Sequence, residues 1–335
     1  MRKVIFFDAD SDLCCFMGSH PIDNTEIVCM ESSLNKISLS KLVPYLDAEI
    51  ISVFTHSDVL SNHRLSLFPN LKMIATRSTG TNHLDMKYMK KHKITITNVP
   101  YYGAQTVAEF AFALILNLSR RVLIAQQDMS HNQIHIPEYV GFDLYGKTIG
   151  IIGTGSIGRH MIRLAQGFGM RVLAYDLYPN KELKHLYVPL SQLYKESDII
   201  SLHIPSTPKN HHILNKTAFR QMKRGVYIIN TARGDLIDTA ALYEAVKGGK
   251  VAGAGLDVLE NEDILIHDDI SFKDYSQNTQ FLLDSAINLK LLQHPHIIAT
   301  PHIAFNTRDA LLRIMNTTFE NIKNFIQKTN LPTPQ

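Results

Sequence analysis

Three side chains in the second half of the chain have types that suit acid–base chemistry on a small carboxylic acid. Arg233, Glu262 and His302 each follow an apolar run of the kind that forms a buried strand. An arginine fork binds carboxylate and carbonyl oxygens through paired hydrogen bonds, and a histidine donates a proton near neutral pH. A carboxylate beside that histidine favours the charged ring and fixes its tautomer. Hydride transfer to a 2-keto acid requires these groups, although any one of them alone is also typical of an ordinary loop.

A glycine-rich stretch has the form of a dinucleotide-binding motif. Residues 147–158 read KTIGIIGTGSIG, and a predicted helix and a second strand ending at Asp176 follow. Gly153 permits a tight turn, Gly155 lets the backbone approach a pyrophosphate, and Gly158 lets helix and strand pack closely. The acid is placed to bind an adenosine ribose, and its charge favours NAD over NADP. Strand, helix, strand and acid in this order indicate NAD rather than a glycine-rich turn of another α/β protein.

Apolar runs of strand length alternate with helical patterns in both halves of the chain. In the first half the predicted strands are 4–7, 27–30, 50–54, 73–75 and 94–97. In the second half they are 150–152, 172–175, 199–202, 226–230, 252–256 and 297–299. Such alternation implies parallel βαβ units. The sequence therefore predicts an α/β protein with two Rossmann/flavodoxin-like domains, each built on a parallel sheet.

The position of the glycine motif in mid-chain predicts a discontinuous first domain. The segment 308–328 is an amphipathic helix too short to fold alone, so we expect it to cross back. We assign residues 1–103 plus 304–335 to a substrate (catalytic) domain and 104–303 to an NAD-binding Rossmann domain. Substrate is expected in an active-site cleft between the domains, at the carboxyl ends of the strands.

Composition excludes several classes of partner. The 335 residues suffice for two domains, and a formal charge of +3 does not indicate nucleic acid or a membrane surface. Cys14, Cys15 and Cys29 form neither a disulfide framework nor a set with metal-ligand spacing. There is no secretory signal pattern and no apolar run of membrane-spanning length. We therefore expect a cytoplasmic protein that binds no metal, nucleic acid or membrane.

Several blocks resemble the D-isomer-specific 2-hydroxyacid dehydrogenases, most closely the fermentative D-lactate dehydrogenase branch. The similar blocks are 77–80 (RSTG), 98–100 (NVP), 108–109, the glycine motif, 201–205 (SLHIP), 230–234, 255–258 (GLDV) and 301–302. The resemblance extends from about residue 71 to 306 and, more loosely, over the N-terminal domain.

The resemblance implies a role for each residue that matches a family motif. Arg233 matches the substrate-binding arginine, Glu262 the partner of the histidine, and His302 the acid–base residue. The implied substrate-binding residues are the carboxylate-binding loop Ser78, Thr79 and Gly80, and the pocket residues Phe54, Tyr102 and Phe305. The implied cofactor-binding residues are Gly153, Thr154, Gly155, Ser156, Ile157, Gly158, Asp176, His203, Pro205, Thr231, Ala232 and Asp257.

The implied activity is that of an NAD-dependent D-2-hydroxyacid dehydrogenase that reduces pyruvate to D-lactate. A homodimer is implied by the family and by the apolar helix Val107–Leu118. One alternative within the family is a glyoxylate or hydroxypyruvate reductase. Another is an NAD-sensing binding protein on the same scaffold, similar to transcriptional corepressors.

The chain departs from the family pattern at two places. Glu262 and His302 are 40 residues apart, which is more than the family's usual spacing, so the polar stretch 263–288 is interpreted as an insertion. Tyr101 and Tyr102 place two aromatic side chains where the lactate branch has one, and either of them could face the substrate.

Two other signals are disfavoured. The sequence FDAD after the first strand is typical of haloacid-dehalogenase-like phosphatases, with Asp8 as nucleophile and Asp10 as acid beside Mg²⁺. The glycine and Thr/Val expected after that motif are absent. His211 and His212 lie in a turn between Pro and Asn residues, where we expect them to be solvent-exposed.

Overall fold

The structure is a computed structural model that describes residues 1–54, 60–81, 83–262 and 279–330. It divides into two compact units. The first comprises Met1–Tyr102 and Thr307–Gln335, and the second comprises Gly103–Asn306. In the described part of the chain, no helix is both long and apolar enough to cross a membrane.

The first unit contains a parallel sheet of five described strands. They are β1 (Arg2–Phe6), β2 (Thr25–Cys29), β3 (Ile50–Val53), β4 (Met73–Thr76) and β5 (Thr95–Thr97), in the order β2-β1-β3-β4-β5. Its helices are α1 (Ser11–Ser19), α2 (Leu39–Leu42), α3 (Asn62–Leu65), α4 (Met86–Lys91) and the C-terminal α12 (Arg308–Asn330), with a 3₁₀ turn at Val43–Tyr45. This strand order is that of flavodoxin-like folds.

Alternation along the strands of the first unit builds a core on each face of the sheet. Ile5, Ile51 and Ile74 are buried on one face. Their neighbours in sequence are buried on the other face, in a cluster that includes Val4, Phe6, Ile50, Met73 and, from α12, Ile322 and Ile326. Because parallel sheets are covered on both sides, these strands appear in the sequence as unbroken apolar runs.

The second unit contains a parallel sheet of six described strands. They are β6 (Thr148–Ile152), β7 (Arg171–Tyr175), β8 (Ile199–Leu202), β9 (Val226–Asn230), β10 (Val251–Leu256) and β11 (Ile297–Ala299), in the order β11-β10-β9-β8-β6-β7. Its helices are α5 (Ala104–Arg120), α6 (Val122–Ser130), α7 (Ser156–Gly167), α8 (Leu190–Glu196), α9 (Lys216–Gln221), α10 (Thr239–Lys247) and α11 (Thr279–Leu292). Short 3₁₀ turns lie at Ile136–Tyr139, Lys181–Leu186 and Gly234–Leu236.

This strand order places a switch point between β6 and β8, where the direction of winding reverses. In doubly wound sheets, ligands bind outside the carboxyl ends of the strands at such a point. The two parallel α/β sheets confirm the predicted fold class, and each of the eleven predicted strands is present.

The predicted insertion over 263–288 is only partly within the described residues. Positions 263–278 lie outside them. Positions 279–288 belong to α11, which buries Asn288 and Leu291 in the second unit. The sequence did not predict this helix, because its apolar residues do not follow a clean helical period.

Candidate active site

His302 and Glu262 form a hydrogen-bonded pair in the second unit. His302 follows β11, Glu262 follows β10, and Nδ1 of the histidine lies 2.8 Å from Oε1 of the glutamate. Because a carboxylate only accepts, Nδ1 carries the proton. The other oxygen, Oε2, accepts the N–H of Leu259 at 2.8 Å. Their side chains are 33% and 21% exposed, so solvent is partly excluded but the ring remains accessible.

Asp257 fixes the loop that carries His302. Its buried carboxylate accepts the Thr300 hydroxyl at 2.6 Å. It also accepts the N–H groups of Ile303 at 2.9 Å and Ala304 at 2.8 Å. Burial raises the pKa of Asp257, and these hydrogen bonds act in the opposite direction. The predicted contact of Asp257 with the nicotinamide stays a prediction.

Arg233 lies in a turn after β9 that Asn230 holds in place. The buried Asn230 amide donates to the Arg233 carbonyl at 2.8 Å and accepts the Ala232 N–H at 3.0 Å. A Cβ atom at Gly234 would overlap the backbone of Leu259, so this turn contacts the segment that carries Glu262. Among the described residues, the Arg233 guanidinium forms no ion pair with a carboxylate. Its charge is therefore available to an anionic ligand.

The glycine turn between β6 and α7 has the geometry that a pyrophosphate requires. Gly153 has a φ of 99°, which favours glycine, and a Cβ there would overlap the His203 carbonyl oxygen. A Cβ at Gly158 would overlap the Gly153 carbonyl oxygen. Gly155 faces open space, and no described side chain caps the N-terminus of α7. The first N–H groups of the helix are thus left for a phosphate.

Asp176 is held at the end of β7 by the glycine turn itself. The Thr154 N–H and hydroxyl donate to Oδ2 of Asp176 at 2.7 and 2.9 Å. The Tyr178 N–H donates to Oδ1 at 2.8 Å. The Thr154 hydroxyl also lies 2.6 Å from the hydroxyl of Tyr187. No motif spacing in the sequence points to Tyr187.

Two buried polar atoms beside the turn indicate a site that a ligand completes. Nδ1 of His203 and Oγ1 of Thr231 have no hydrogen-bond partner among the described residues. Nε2 of His203 lies 2.8 Å from the Ser201 hydroxyl, and burial lowers the pKa of His203 to about 3, so its ring is neutral. Of the other predicted cofactor residues, Ser156 and Ile157 begin α7, Pro205 follows β8 and Ala232 follows β9. These features fit a bound NAD.

In the first unit, the loop Ser78–Gly80 follows β4 and presents its backbone N–H groups. The Ser78 hydroxyl donates to the Gly80 carbonyl at 2.7 Å, and the Thr79 hydroxyl donates to the Val99 carbonyl at 2.9 Å. In the described part of the chain, no acceptor contacts the N–H groups of residues 78, 79 and 80. A carboxylate could bind there.

Arg77, next to this loop, has a structural role that the sequence analysis did not assign. Its buried guanidinium donates to the Phe7 carbonyl at 2.6 Å and the Asp8 carbonyl at 2.8 Å. It lies 5.4 Å from the ring centroid of Phe54. Burial lowers the pKa of Arg77 to about 10. Arg77 therefore joins the carboxyl ends of β1, β3 and β4.

The other predicted pocket residues differ in exposure. Phe54 and Tyr102 are half-buried, Phe305 is buried in the second unit, and Tyr101 is exposed. Tyr101 also has a φ of 64°. Asp10, of the disfavoured phosphatase motif, caps α1 by accepting the Leu13 N–H at 2.8 Å. The substrate contacts of Phe54, Tyr102 and Phe305 stay predictions.

A second imidazole–carboxylate cluster lies near the first. Nε2 of His212 is 2.7 Å from Oε1 of Glu260, and Nε2 of His211 is 3.7 Å from the same oxygen. The Thr239 hydroxyl donates to the other Glu260 oxygen at 3.3 Å. His212 is therefore paired and partly buried, in contrast to the expected solvent-exposed turn. These residue types could hold a metal ion, but the contacts are those of an ion pair.

Taken together, the second unit has the strand order, glycine turn and terminal acid of a dinucleotide-binding domain. Residues 112–304 match the family model described as "D-isomer specific 2-hydroxyacid dehydrogenase, NAD binding domain". The chain is 42% identical over 265 residues to the D-lactate dehydrogenase of Escherichia coli, which is 78% of each chain. It is 36% identical over 296 residues to the hydroxypyruvate reductase of Thermotoga maritima, covering 88% of this chain and 89% of that protein.

Among solved structures, the chain is similar to D-lactate dehydrogenase from Aquifex aeolicus complexed with NAD and lactic acid. The TM-score is 0.82 at 37% identity, over 97% of this chain and 96% of that chain. The protein belongs to the D-isomer-specific 2-hydroxyacid dehydrogenase family. It is an NAD-dependent oxidoreductase, which confirms the predicted family, enzyme class and cofactor.

Proposed function

We propose that this dehydrogenase reduces pyruvate to D-lactate with NADH. The observation that carries the proposal is the His302–Glu262 pair, at 2.8 Å, in the unit that binds NAD. It is a proton donor with a fixed tautomer, as reduction of a carbonyl requires. The relatives named D-lactate dehydrogenase support pyruvate as the substrate. Reduction of hydroxypyruvate is the second candidate, favoured by the Thermotoga maritima relative.

In the proposed mechanism, the glycine turn before α7 would hold NADH, which would supply a hydride to the carbonyl carbon of the keto acid. His302 gives its proton to the carbonyl oxygen as the alkoxide develops, so one proton is consumed for each NADH oxidised. Because Glu262 accepts the Nδ1 proton, Nε2 is the nitrogen that donates. The carboxylate also stabilises the positive ring before transfer.

Two groups are proposed to bind the substrate carboxylate and carbonyl. The backbone N–H groups of residues 78–80 bind the carboxylate, since they lack acceptors among the described residues. Arg233 binds carboxylate and carbonyl oxygens through its guanidinium, which polarises the carbonyl. Only the carbonyl oxygen gains charge in the transition state, so Arg233 contributes to the rate as well as to binding, whereas the loop 78–80 contributes to binding of the carboxylate.

The proposed cofactor contacts follow from the turn after β6. The N–H groups at the start of α7 would hold the pyrophosphate, and Asp176 would accept from the adenosine ribose. The unpartnered Nδ1 of His203 and Oγ1 of Thr231 would bind polar groups toward the nicotinamide end. A neutral His203 fits this role, because it places no extra positive charge beside the ring.

A spectrophotometric NADH-oxidation screen over pyruvate, hydroxypyruvate, glyoxylate and larger 2-keto acids tests the proposal. We expect the highest kcat/KM with pyruvate, and His302→Ala should lower turnover by roughly 10²–10⁴-fold. His63→Ala, at an exposed position in the first unit, is the matched control. A higher kcat/KM with hydroxypyruvate than with pyruvate would refute pyruvate as the substrate and favour the second candidate. NADH binding without turnover of any keto acid would favour the binding-protein alternative.

We propose further that the protein is a homodimer through the segment 122–145. The apolar side chains of the helix Val107–Leu118 do not supply this surface, since most are buried in the core of their own unit. Exposed apolar side chains instead follow it: Val122, Leu123, Met129, Ile134, Ile136, Val140 and Tyr145. A patch of this kind is typical of a subunit contact. Sedimentation should give a dimer, and Ile136→Glu with Val140→Glu should give a monomer; a wild-type monomer would refute the proposal.

A further inference from the structure

Tyr187 ends a chain of hydrogen bonds that leads to the acid of the NAD site. Its hydroxyl lies 2.6 Å from the Thr154 hydroxyl and accepts the Asn180 N–H at 2.9 Å. The Thr154 hydroxyl in turn donates to Oδ2 of Asp176 at 2.9 Å. Three residues from different parts of the second unit are thus linked to one carboxylate.

The direction of each proton in this chain can be deduced. A carboxylate accepts only, so the single Thr154 hydroxyl proton goes to Asp176. Thr154 therefore has no proton to give to Tyr187, and the Tyr187 hydroxyl must donate to Thr154. The Tyr187 hydroxyl oxygen also accepts the Asn180 N–H. The Tyr187 hydroxyl therefore uses both its proton and its main acceptor position in these two hydrogen bonds. The chain runs in one direction, from Asn180 to Asp176.

The backbone holds Tyr187 at this position. Tyr187 forms an isolated parallel bridge with Ala174 of β7, and the Val188 N–H donates to the Ala174 carbonyl at 3.0 Å. Asp176 directly follows the same strand, so tyrosine and acid are fixed to one element. Tyr187 also packs against the buried core beside β6 and β7. Its hydroxyl therefore has little freedom to leave Thr154.

We propose that Tyr187 is a positioning residue for NAD, which fixes the Asp176 carboxylate through Thr154. Oδ2 already accepts two donors from Thr154, whereas among the described residues Oδ1 accepts only the Tyr178 N–H. One acceptor position on Oδ1 remains for a ribose hydroxyl. The inference rests on the proposed function in one respect, the binding of the adenosine ribose by Asp176.

The same geometry makes Tyr187 a determinant of coenzyme selection. When Oδ2 is held by Thr154, the carboxylate cannot rotate away from the ribose, and its charge opposes a 2′-phosphate. Loss of the Tyr187 hydroxyl lets the Thr154 hydroxyl turn, so that Asp176 is less firmly oriented. NADH should then bind more weakly, and the preference for NADH over NADPH should fall.

The test uses the full-length protein and the variant Tyr187→Phe. Dissociation constants for NADH and ADP-ribose are measured by fluorescence titration and calorimetry, together with kcat and KM. We expect both ligands to bind about 3–10-fold more weakly, as for the loss of one net hydrogen bond. The kcat at saturating NADH should stay within about twofold, because the hydroxyl contacts no group of the His302 pair. A general loss of structure would instead lower kcat and the melting temperature.

Thr154→Val removes the hydroxyl that links Tyr187 to Asp176. It keeps the hydrogen bond from the backbone N–H of residue 154 to Asp176. If Tyr187 acts through Thr154, the double variant Tyr187→Phe/Thr154→Val should have the same NADH affinity as whichever single variant binds NADH more weakly. Tyr194→Phe is the matched control. The buried Tyr194 hydroxyl donates to the Ile213 carbonyl at 3.2 Å and takes no part in the hydrogen bonds that lead to Asp176. This variant should leave NADH affinity unchanged.

The possible results separate this inference from the proposed role of Asp176. Unchanged NADH affinity in Tyr187→Phe, or additive effects in the double variant, would overturn the inference. If Tyr187→Phe does not fold, unchanged affinity in Thr154→Val overturns it equally. Asp176→Ala that binds NADH like the wild type would instead refute the ribose contact. Weak binding by Asp176→Ala with normal binding by Tyr187→Phe would refute the positioning role alone.

Discussion

Replacing Glu262 by Gln tests whether the carboxylate beside His302 acts through its charge. The glutamine carbonyl can still accept the Nδ1 proton, so the tautomer and the approximate ring position should be kept. The negative charge is removed, and with it the electrostatic stabilisation of the protonated ring. The variant thus separates the charge of residue 262 from its hydrogen bond.

The expected magnitude follows from the geometry of the pair. The contact is 2.8 Å long and both side chains are about two-thirds buried or more, so a charge-assisted hydrogen bond contributes about 1.5–3 kcal/mol. The neutral hydrogen bond to glutamine keeps about 0.5–1.5 kcal/mol of this, so the charge alone contributes about 1–1.5 kcal/mol. At about 1.4 kcal/mol for each factor of ten, kcat/KM for keto-acid reduction should fall roughly 5–12-fold.

The assay is NADH oxidation at 340 nm with the keto acid, with NADH affinity measured separately. Glu260→Gln is a matched control, since Glu260 also contacts an imidazole, His212, at 2.7 Å in the same segment of chain. The control should keep kcat/KM within about threefold, because the Glu260 carboxylate contacts His212 and Thr239 and not the His302 pair.

A double-mutant cycle with His302→Ala completes the test. If the two residues act as a unit, adding Glu262→Gln to His302→Ala should cause little further loss. Equal losses in Glu262→Gln and Glu260→Gln would contradict the reasoning, since both would then reflect a disturbed segment.

Two further predictions concern the NAD site. Burial lowers the pKa of His203 to about 3, whereas the unfolded ring protonates near 6.5, so this residue makes the folded state less stable as the pH falls between those values. The free energy of unfolding of the NAD-free protein, measured in urea, should therefore fall between pH 7 and pH 4.5. In His203→Gln this fall should be smaller by about 1–3 kcal/mol. An equal fall in the variant and the wild type would refute burial of a neutral ring. Gly158→Ala should lower the melting temperature and weaken NADH binding by at least about tenfold, because its Cβ would overlap the Gly153 carbonyl oxygen. Gly167→Ala, where a Cβ has open space in the same helix, should show neither effect.

Strand positions could be predicted because both faces of each sheet are covered. The four residues of β8 are all buried and three of them are apolar, so the strand lacks the alternation of apolar and exposed polar residues that a one-sided sheet shows. The helix α11 could not be predicted in the same way. Its sequence mixes buried Leu291 and Asn288 with exposed Leu283 and Leu289, and this mixture gives no helical period.

Within the site, the reactive side chains could be predicted from the sequence, but the hydrogen bonds that support them could not. Arg233, Glu262 and His302 stand out because their side chains suit one reaction. Asn230 and Tyr187 act through hydrogen bonds to residues that only the fold brings near. No spacing in the sequence encodes such contacts, because their geometry depends on the strand register and the packing of the turns.

Strand register explains how residues so far apart in sequence can share one site. Leu256 of β10 pairs with Asn230 of β9 and with Ala299 of β11, so the three strands end at the same level. Arg233, Glu262 and His302 each begin from this common edge within six residues of a strand end. The length of chain between strands then matters little. A connection between β10 and β11 can lengthen while Asp257 and Glu262, both near the end of β10, still bind the loop that carries His302. The 40-residue separation is therefore compatible with the same acid–base pair that a shorter connection would form.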